Sequence, residues 1–276
     1  MRSHKPTLAA AAAVLACFGT AALAQSNPYQ KGPDPTHASI EADGPYAVST
    51  QALKGSGFGS GTVYSPNAAG SYALVAVCPG FVSAQSSIAQ ISRRLATHGF
   101  VVVTIDTNTI FDFPDSRSTQ LLAALKAAAA LSTGPAAGKI DTARQAVAGW
   151  SMGGGGTLLA AGSTPALKGA VAYAPWALNN NLKASKVPAA ILGGTADIVA
   201  PPGIFADVFY KAIPAGSSKL LGIVKGADHF FPNTASQPAS YTTVAWFKRF
   251  VDNDTRYGPF LNGDTRYSRF SYTGPF

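Results

Sequence analysis

Gly149-Trp150-Ser151-Met152-Gly153 limits what this chain can fold into more than any other stretch. The residues before it, Gln145-Ala146-Val147-Ala148, read as the end of a buried strand, and Thr157-Leu158-Leu159-Ala160-Ala161 reads as a helix. A serine with glycine two residues away on each side, at a strand-to-helix junction, is the pattern of a nucleophile elbow. The turn is so tight that Ser151 must adopt a strained backbone, and side chains at the flanking positions would strike neighbouring backbone; glycine removes that clash. Three further glycines, Gly154 to Gly156, fit close packing at the helix start and carry no chemistry of their own.

The remaining chain supplies the sheet such an elbow needs. Apolar runs at 72–78, 100–105, 145–150, 169–173, 187–193 and 219–224 read as buried strands. Helical stretches fall between or after them at about 86–97, 116–131, 153–161, 205–211 and 241–252. Two outer strands are expected at 46–53 and 61–64, after an extended surface arm over 25–44. Strands alternating with helices define an α/β class with a mostly parallel sheet covered on both faces. Only 174–186 separates two of these strands, too short a connection for a helical cap, so the site should be an open groove without a lid.

Serine needs a base to take its proton and a third group to orient that base. Histidine is the natural base near neutral pH. His37 lies in the arm and His98 closes a helix before Gly99, whereas His229 hangs in the loop after the last strand. Among acids between Ser151 and His229, Asp197 directly follows a buried strand, Asp207 falls inside a helix, and Asp228 is too near His229 along the chain to face its ring. Ser151, Asp197 and His229 are therefore the expected catalytic set, in the order of the hydrolase template. Asp106 precedes the serine and reads as structural. An oxyanion needs two backbone N–H donors; Met152, next to the nucleophile, and Phe81, in the loop after an early strand, are the candidates. Phe81 and Trp176 are candidate aromatic walls for a substrate.

Other chemistries fit poorly. The glycine run lacks the lysine and hydroxyl of a phosphate loop, the histidines are unpaired, and no metal or other cofactor is expected. Cys78 ends an apolar strand and reads as a small buried hydrophobe. The chain carries 21 basic against 13 acidic residues, but the basic residues are scattered, which argues against nucleic acid as a partner. Arg2 and Lys5, an apolar stretch over 8–18 and Ala22-Leu23-Ala24 form a secretory signal peptide over 1–24, leaving 25–276 as one domain. Cys17 follows a weak match to a lipoprotein box, which keeps lipidation there as an alternative. No later apolar run is long enough to span a membrane, and a secreted monomer is expected.

Taken together, Val77-Cys78-Pro79-Gly80-Phe81, Gln85-Ser86-Ser87, His98-Gly99-Phe100, Thr104-Ile105-Asp106-Thr107-Asn108, the glycine-rich elbow, Ala174-Pro175-Trp176 and Asp252-Asn253-Asp254-Thr255-Arg256-Tyr257 closely resemble the bacterial cutinase and poly(ethylene terephthalate) hydrolase family. The resemblance extends to Asn27-Pro28-Tyr29 and Gly32-Pro33 in the arm. It implies the α/β-hydrolase fold and a Ser151–His229–Asp197 triad. It also implies an oxyanion hole from Phe81 and Met152, with Phe81, Met152, Trp176 and Ile198 touching a polymeric or lipid-like ester. Trp150 stands where many cutinases have histidine and a well-known terephthalate polyester hydrolase has tryptophan; Phe230 is the commoner cutinase choice. Family members usually carry a disulfide in the C-terminal tail, and the most terephthalate-adapted ones a second beside the acid and base; the cysteines for both are missing here. Two other readings remain: a short-chain esterase or lipase, and a non-catalytic protein that only adsorbs to surfaces.

Overall fold

Strands that are apolar on both faces need cover on both faces, and the helices of this chain supply it. The computed structural model describes residue 1 and residues 27–234 and 236–274; the expected leader, apart from residue 1, and Cys17 with it lie outside the described residues. Along the chain come α1 (His37–Glu41), β1 (Val48–Leu53), β2 (Ser60–Pro66), β3 (Tyr72–Cys78), α2 (Ala89–Thr97), β4 (Phe100–Asp106), α3 (Pro114–Ala129) and β5 (Ile140–Trp150). Then follow α4 (Met152–Ser163), β6 (Gly169–Tyr173), β7 (Ala189–Gly194), α5 (Ala206–Ala212), β8 (Lys219–Val224), α6 (Gln237–Phe250) and β9 (Tyr267–Thr273).

The nine strands of the described residues join one sheet in the order β1-β2-β4-β3-β5-β6-β7-β8-β9. From β4 across to β8 the neighbours are parallel, while β1, β2 and β9 pair antiparallel at the edges. Successive side chains of a strand point to opposite faces, so β3 feeds two cores. Leu74, Ala76 and Cys78 pack with Leu121 and Leu125 of α3 and Leu158 of α4. Ala73, Val75 and Val77 pack with Leu95 of α2 and Trp246 and Phe247 of α6. The chain reverses direction across the sheet between β3 and β5, which opens a crevice at their carboxyl ends, the usual place for a ligand in such sheets.

Several elements differ from the sequence expectation, each for a physical reason. The arm is not simply extended: Thr36 and Ser39 form a capping box that starts α1, and Ile40 is buried in the core. His37 stacks on Tyr241 and accepts or donates a 2.8 Å bond with its hydroxyl. The expected 86–97 helix begins as a 3₁₀ turn over Gln85–Ile88, because Gln85 N–H is drawn onto the Asp106 carboxylate at 2.8 Å. β5 starts at Ile140, five residues early; its register shifts opposite Ala73/Leu74, and the charged Asp141 and Arg144 obscure it in the sequence. β9 has no counterpart in the apolar pattern, since it is an edge strand held to β8 by backbone pairing from Val224↔Tyr267 to Lys219↔Thr273.

His98 caps the end of α2, and its ring nitrogen Nε2 lies 3.1 Å from the Ala42 carbonyl. Burial holds its pKa down to about 4; Lys248 and Arg94 push the same way, against the Ala42 bond and Asp43. The folded value lies below the ordinary 6.5, so protons favour the unfolded chain. This contribution to stability is complete above about pH 6.5 and is lost as pH falls toward 4. Urea unfolding across that window should lose up to about 3 kcal/mol from this group. His98→Gln should flatten the decline, and equal acid slopes in both proteins would contradict the assignment.

Candidate active site

Ser151 sits between β5 and α4 with φ +56° and ψ −120°, a conformation that costs a serine about 1–3 kcal/mol. Three bonds lock it: Ser151 N–H donates to the Tyr173 carbonyl at 2.9 Å, and its own carbonyl accepts from Gly155 and Trp176 N–H at 2.9 Å each. The glycines are dictated by contact. A Cβ on Gly149 would stand 2.4 Å from the Gly153 carbonyl oxygen, and one on Gly153 would stand 2.3 Å from that of Pro79. Farther along, a Cβ on Gly155 would meet the Trp176 carbonyl oxygen at 2.3 Å, so the extra glycines do serve close packing at the helix start.

His229 and Asp197 arrive on the loops after β8 and β7. His229 Nε2 lies 2.8 Å from Ser151 Oγ, and Nδ1 lies 2.8 Å from Asp197 Oδ2. A carboxylate only accepts, so Nδ1 carries the proton toward Asp197 and Nε2 is free to accept the serine hydroxyl. The other carboxylate oxygen, Oδ1, accepts from Val199 N–H at 2.9 Å and Ala200 N–H at 2.7 Å. All three side chains are largely buried, which strengthens each of these bonds. Trp150 Nε1 donates to the His229 carbonyl at 2.8 Å and steadies that loop.

Hydrogen bonds tie the loop bearing Asp197 to the loop bearing His229. Ala196 N–H donates to the Ala227 carbonyl at 2.9 Å, and Gly226 N–H to Thr195 Oγ1 at 2.7 Å. Gly194 is needed there because a Cβ would fall 2.2 Å from the Ala227 carbonyl oxygen. Cys78 is buried and free, and burial pushes its thiol up to about 11, so it is neither a nucleophile nor half of a bridge.

Gly80 lies so close to the elbow that a Cβ on it would be 3.1 Å from that of Ser151, which brings the Pro79-Gly80-Phe81 loop against Ser151. Phe81 follows β3 and Trp176 follows β6, the neighbours of β5 on its two sides. Phe81 and Ile198 are exposed, and Trp176 is half-buried against Phe205 with ring centroids 5.8 Å apart. Phe230 packs on both Trp150 and His229 at 5.6 Å. No helix intervenes between β6 and β7 among the described residues, so no cap covers these groups.

Other candidates weighed from the sequence lie elsewhere. Asp106 accepts from Ser60 and Gln85, Asp207 pairs with Arg269, and Asp228 accepts the Phe230 N–H, all structural roles. The aromatic partner Phe205 escapes sequence reasoning because it precedes a short helix and looks like core.

A mostly parallel sheet, a strained serine elbow after β5, and an acid and base on the loops after β7 and β8 define an α/β-hydrolase. The chain belongs to the PET hydrolase-like family, which matches residues 23–273. A cutinase from Thermobifida fusca (strain YX) is 45% identical over 265 residues, covering 94% of this chain and 88% of its own length. Cutinase 1 of Thermobifida cellulosilytica is 46% identical over 240 residues, 86% of this chain and 92% of its own. A bis(hydroxyethyl) terephthalate hydrolase from Streptomyces coelicolor is 45% identical over 262 residues, 92% of this chain and 84% of its own.

Proposed function

We propose that this protein hydrolyses polyesters of the cutin and poly(ethylene terephthalate) type through an acyl-enzyme on Ser151. The observation that carries this reading is the Ser151–His229–Asp197 relay, with both bonds at 2.8 Å, at an uncapped surface. His229 takes the Ser151 proton as Oγ attacks the ester carbonyl, then returns it to the departing alcohol. It next draws a proton from water, which cleaves the acyl-enzyme. Asp197 holds the imidazole in the required tautomer. The amides of Phe81 and Met152 receive the oxyanion, and Phe81, Met152, Trp176 and Ile198 line the groove.

The similarity to cutinases and to a bis(hydroxyethyl) terephthalate hydrolase supports an ester of this class. No helix of the described residues is long and apolar enough to cross a membrane. The leader read over 1–24 supports an exported protein.

Turnover of p-nitrophenyl esters of rising chain length, set beside release of soluble aromatic acids from polyester film, tests the proposal. Activity on both is expected. Hydrolysis of the soluble esters alone would make it a short-chain esterase, and failure of an active-site phosphonate to label Ser151 would leave only a surface-adsorbing protein.

A further inference from the structure

Loops that expose large apolar side chains are normally mobile or covered, and the connection between β4 and α3 is neither. Ile110, Phe111 and Phe113 are 43%, 60% and 56% exposed. Yet the backbone beneath them is fastened at nearly every residue. Asn108 N–H donates to Gln120 Oε1 at 2.7 Å, and Thr109 donates through N–H and Oγ1 to the Asp112 carboxylate at 3.0 and 2.9 Å. Arg117, fully buried, donates from Nε to the Asp112 carbonyl at 2.7 Å and from Nη2 to the Ile110 carbonyl at 3.1 Å. From Nη1 the same guanidinium reaches the Pro79 carbonyl at 3.0 Å, so one buried cation fixes both this loop and the one bearing Phe81.

The exposed rings continue the groove. Phe111 meets Phe81 edge-on with centroids 5.8 Å apart, and Phe113 meets Trp176 at 6.4 Å. Each aromatic wall thus carries a second ring from one rigid loop. Asp112, between those rings in sequence, has its carboxylate held by Thr109 and Gln120.

We propose that Phe111 and Phe113 form a second aromatic tier that holds the aromatic repeat unit of a polyester chain beyond the scissile ester. This rests on the groove reading above. A pre-ordered ring pair binds a flexible chain without first having to be immobilised, and edge or offset ring contacts favour an aromatic unit over an aliphatic one. A short soluble ester ends before reaching this tier.

The test uses Phe111→Ala, Phe113→Ala and the double variant on three substrates. These are p-nitrophenyl butyrate, a soluble oligoester of three terephthalate units, and an aliphatic oligoester of matched length. In the double variant, KM for the aromatic oligoester should rise about tenfold. Turnover of the butyrate ester should stay within about twofold of wild type, and Phe111→Tyr with Phe113→Tyr should restore the aromatic KM. Unchanged KM on the aromatic oligoester would overturn the proposal, as would an equal loss on the butyrate ester or on the aliphatic oligoester. Changed self-association by sedimentation, with unchanged oligoester kinetics, would make the platform a contact between two copies instead. Wild type inactive on the butyrate ester would count against the triad reading, not this one.

Discussion

Ser151→Ala is expected to cut kcat on p-nitrophenyl butyrate by about 10⁴-fold or more, with the melting temperature nearly unchanged. In the proposed mechanism Ser151 is the one group that forms the covalent intermediate, and neither His229 nor the proposed oxyanion amides can replace it. Stability should hold because the strained elbow is fixed by backbone bonds to Tyr173, Gly155 and Trp176, which alanine retains. Alanine also pays the same steric penalty at φ +56° as serine does. Stopped-assay kinetics and a thermal melt on the same preparation check both halves. Hydrolysis at the wild-type rate would remove Ser151 from the mechanism, whereas a collapsed melt would leave its chemical role untested and call for Ser151→Cys.

A second large effect is expected far from the groove, at Asp252. Its carboxylate is 3% exposed and takes the ammonium of Lys248 at 2.7 Å on one oxygen and the guanidinium of Arg144 on the other. Arg144 also pairs with Asp141 at 2.8 Å and lies 3.8 Å over the Tyr29 ring, while Asn27 donates to the Asp252 carbonyl at 2.8 Å. One buried anion thus joins the arm, β5 and the end of α6. Removing a single member of such a cluster strands the opposite charges in a poorly solvating interior, at about 3–5 kcal/mol. Asp252→Ala should therefore lower the melting temperature by about 10 °C. Asp252→Asn, which keeps hydrogen-bond capacity but not charge, should fall between. A drop of less than about 2 °C for the alanine variant would mean that water already compensates the two cations.

Sequence pattern made the central strands legible because burial on both faces forces continuous apolar runs: 72–78, 169–173 and 219–224 match β3, β6 and β8 to the residue. Where charge enters a strand, as at Asp141 and Arg144, the pattern fails, and an edge strand such as β9 takes its identity from the partner it pairs with. Ser151 was legible for a local reason, since the glycines around it answer backbone contacts within a few residues and in the adjoining loops. Asp197 and His229 were legible only through their places after successive strands. The second pair of rings, Phe111 and Phe113, sits after β4 by the same positional rule, but two phenylalanines around an aspartate look like any loop until their exposure is known.

The sequence alone determined an α/β alternation, a serine elbow and the order of its partners, because these depend on short-range sterics and on which stretches can leave water. Tertiary structure set the distance at which His229 Nε2 meets Ser151 Oγ, 2.8 Å across 78 residues, and alone decided that Asp252 holds Arg144 across 108. It also decided that a backbone bond from Ala196 to Ala227 and a bond from Gly226 N–H to the Thr195 hydroxyl join the loops bearing Asp197 and His229 without a disulfide. Those pairings are set by the order of strands in the sheet. No local run of residues encodes that order.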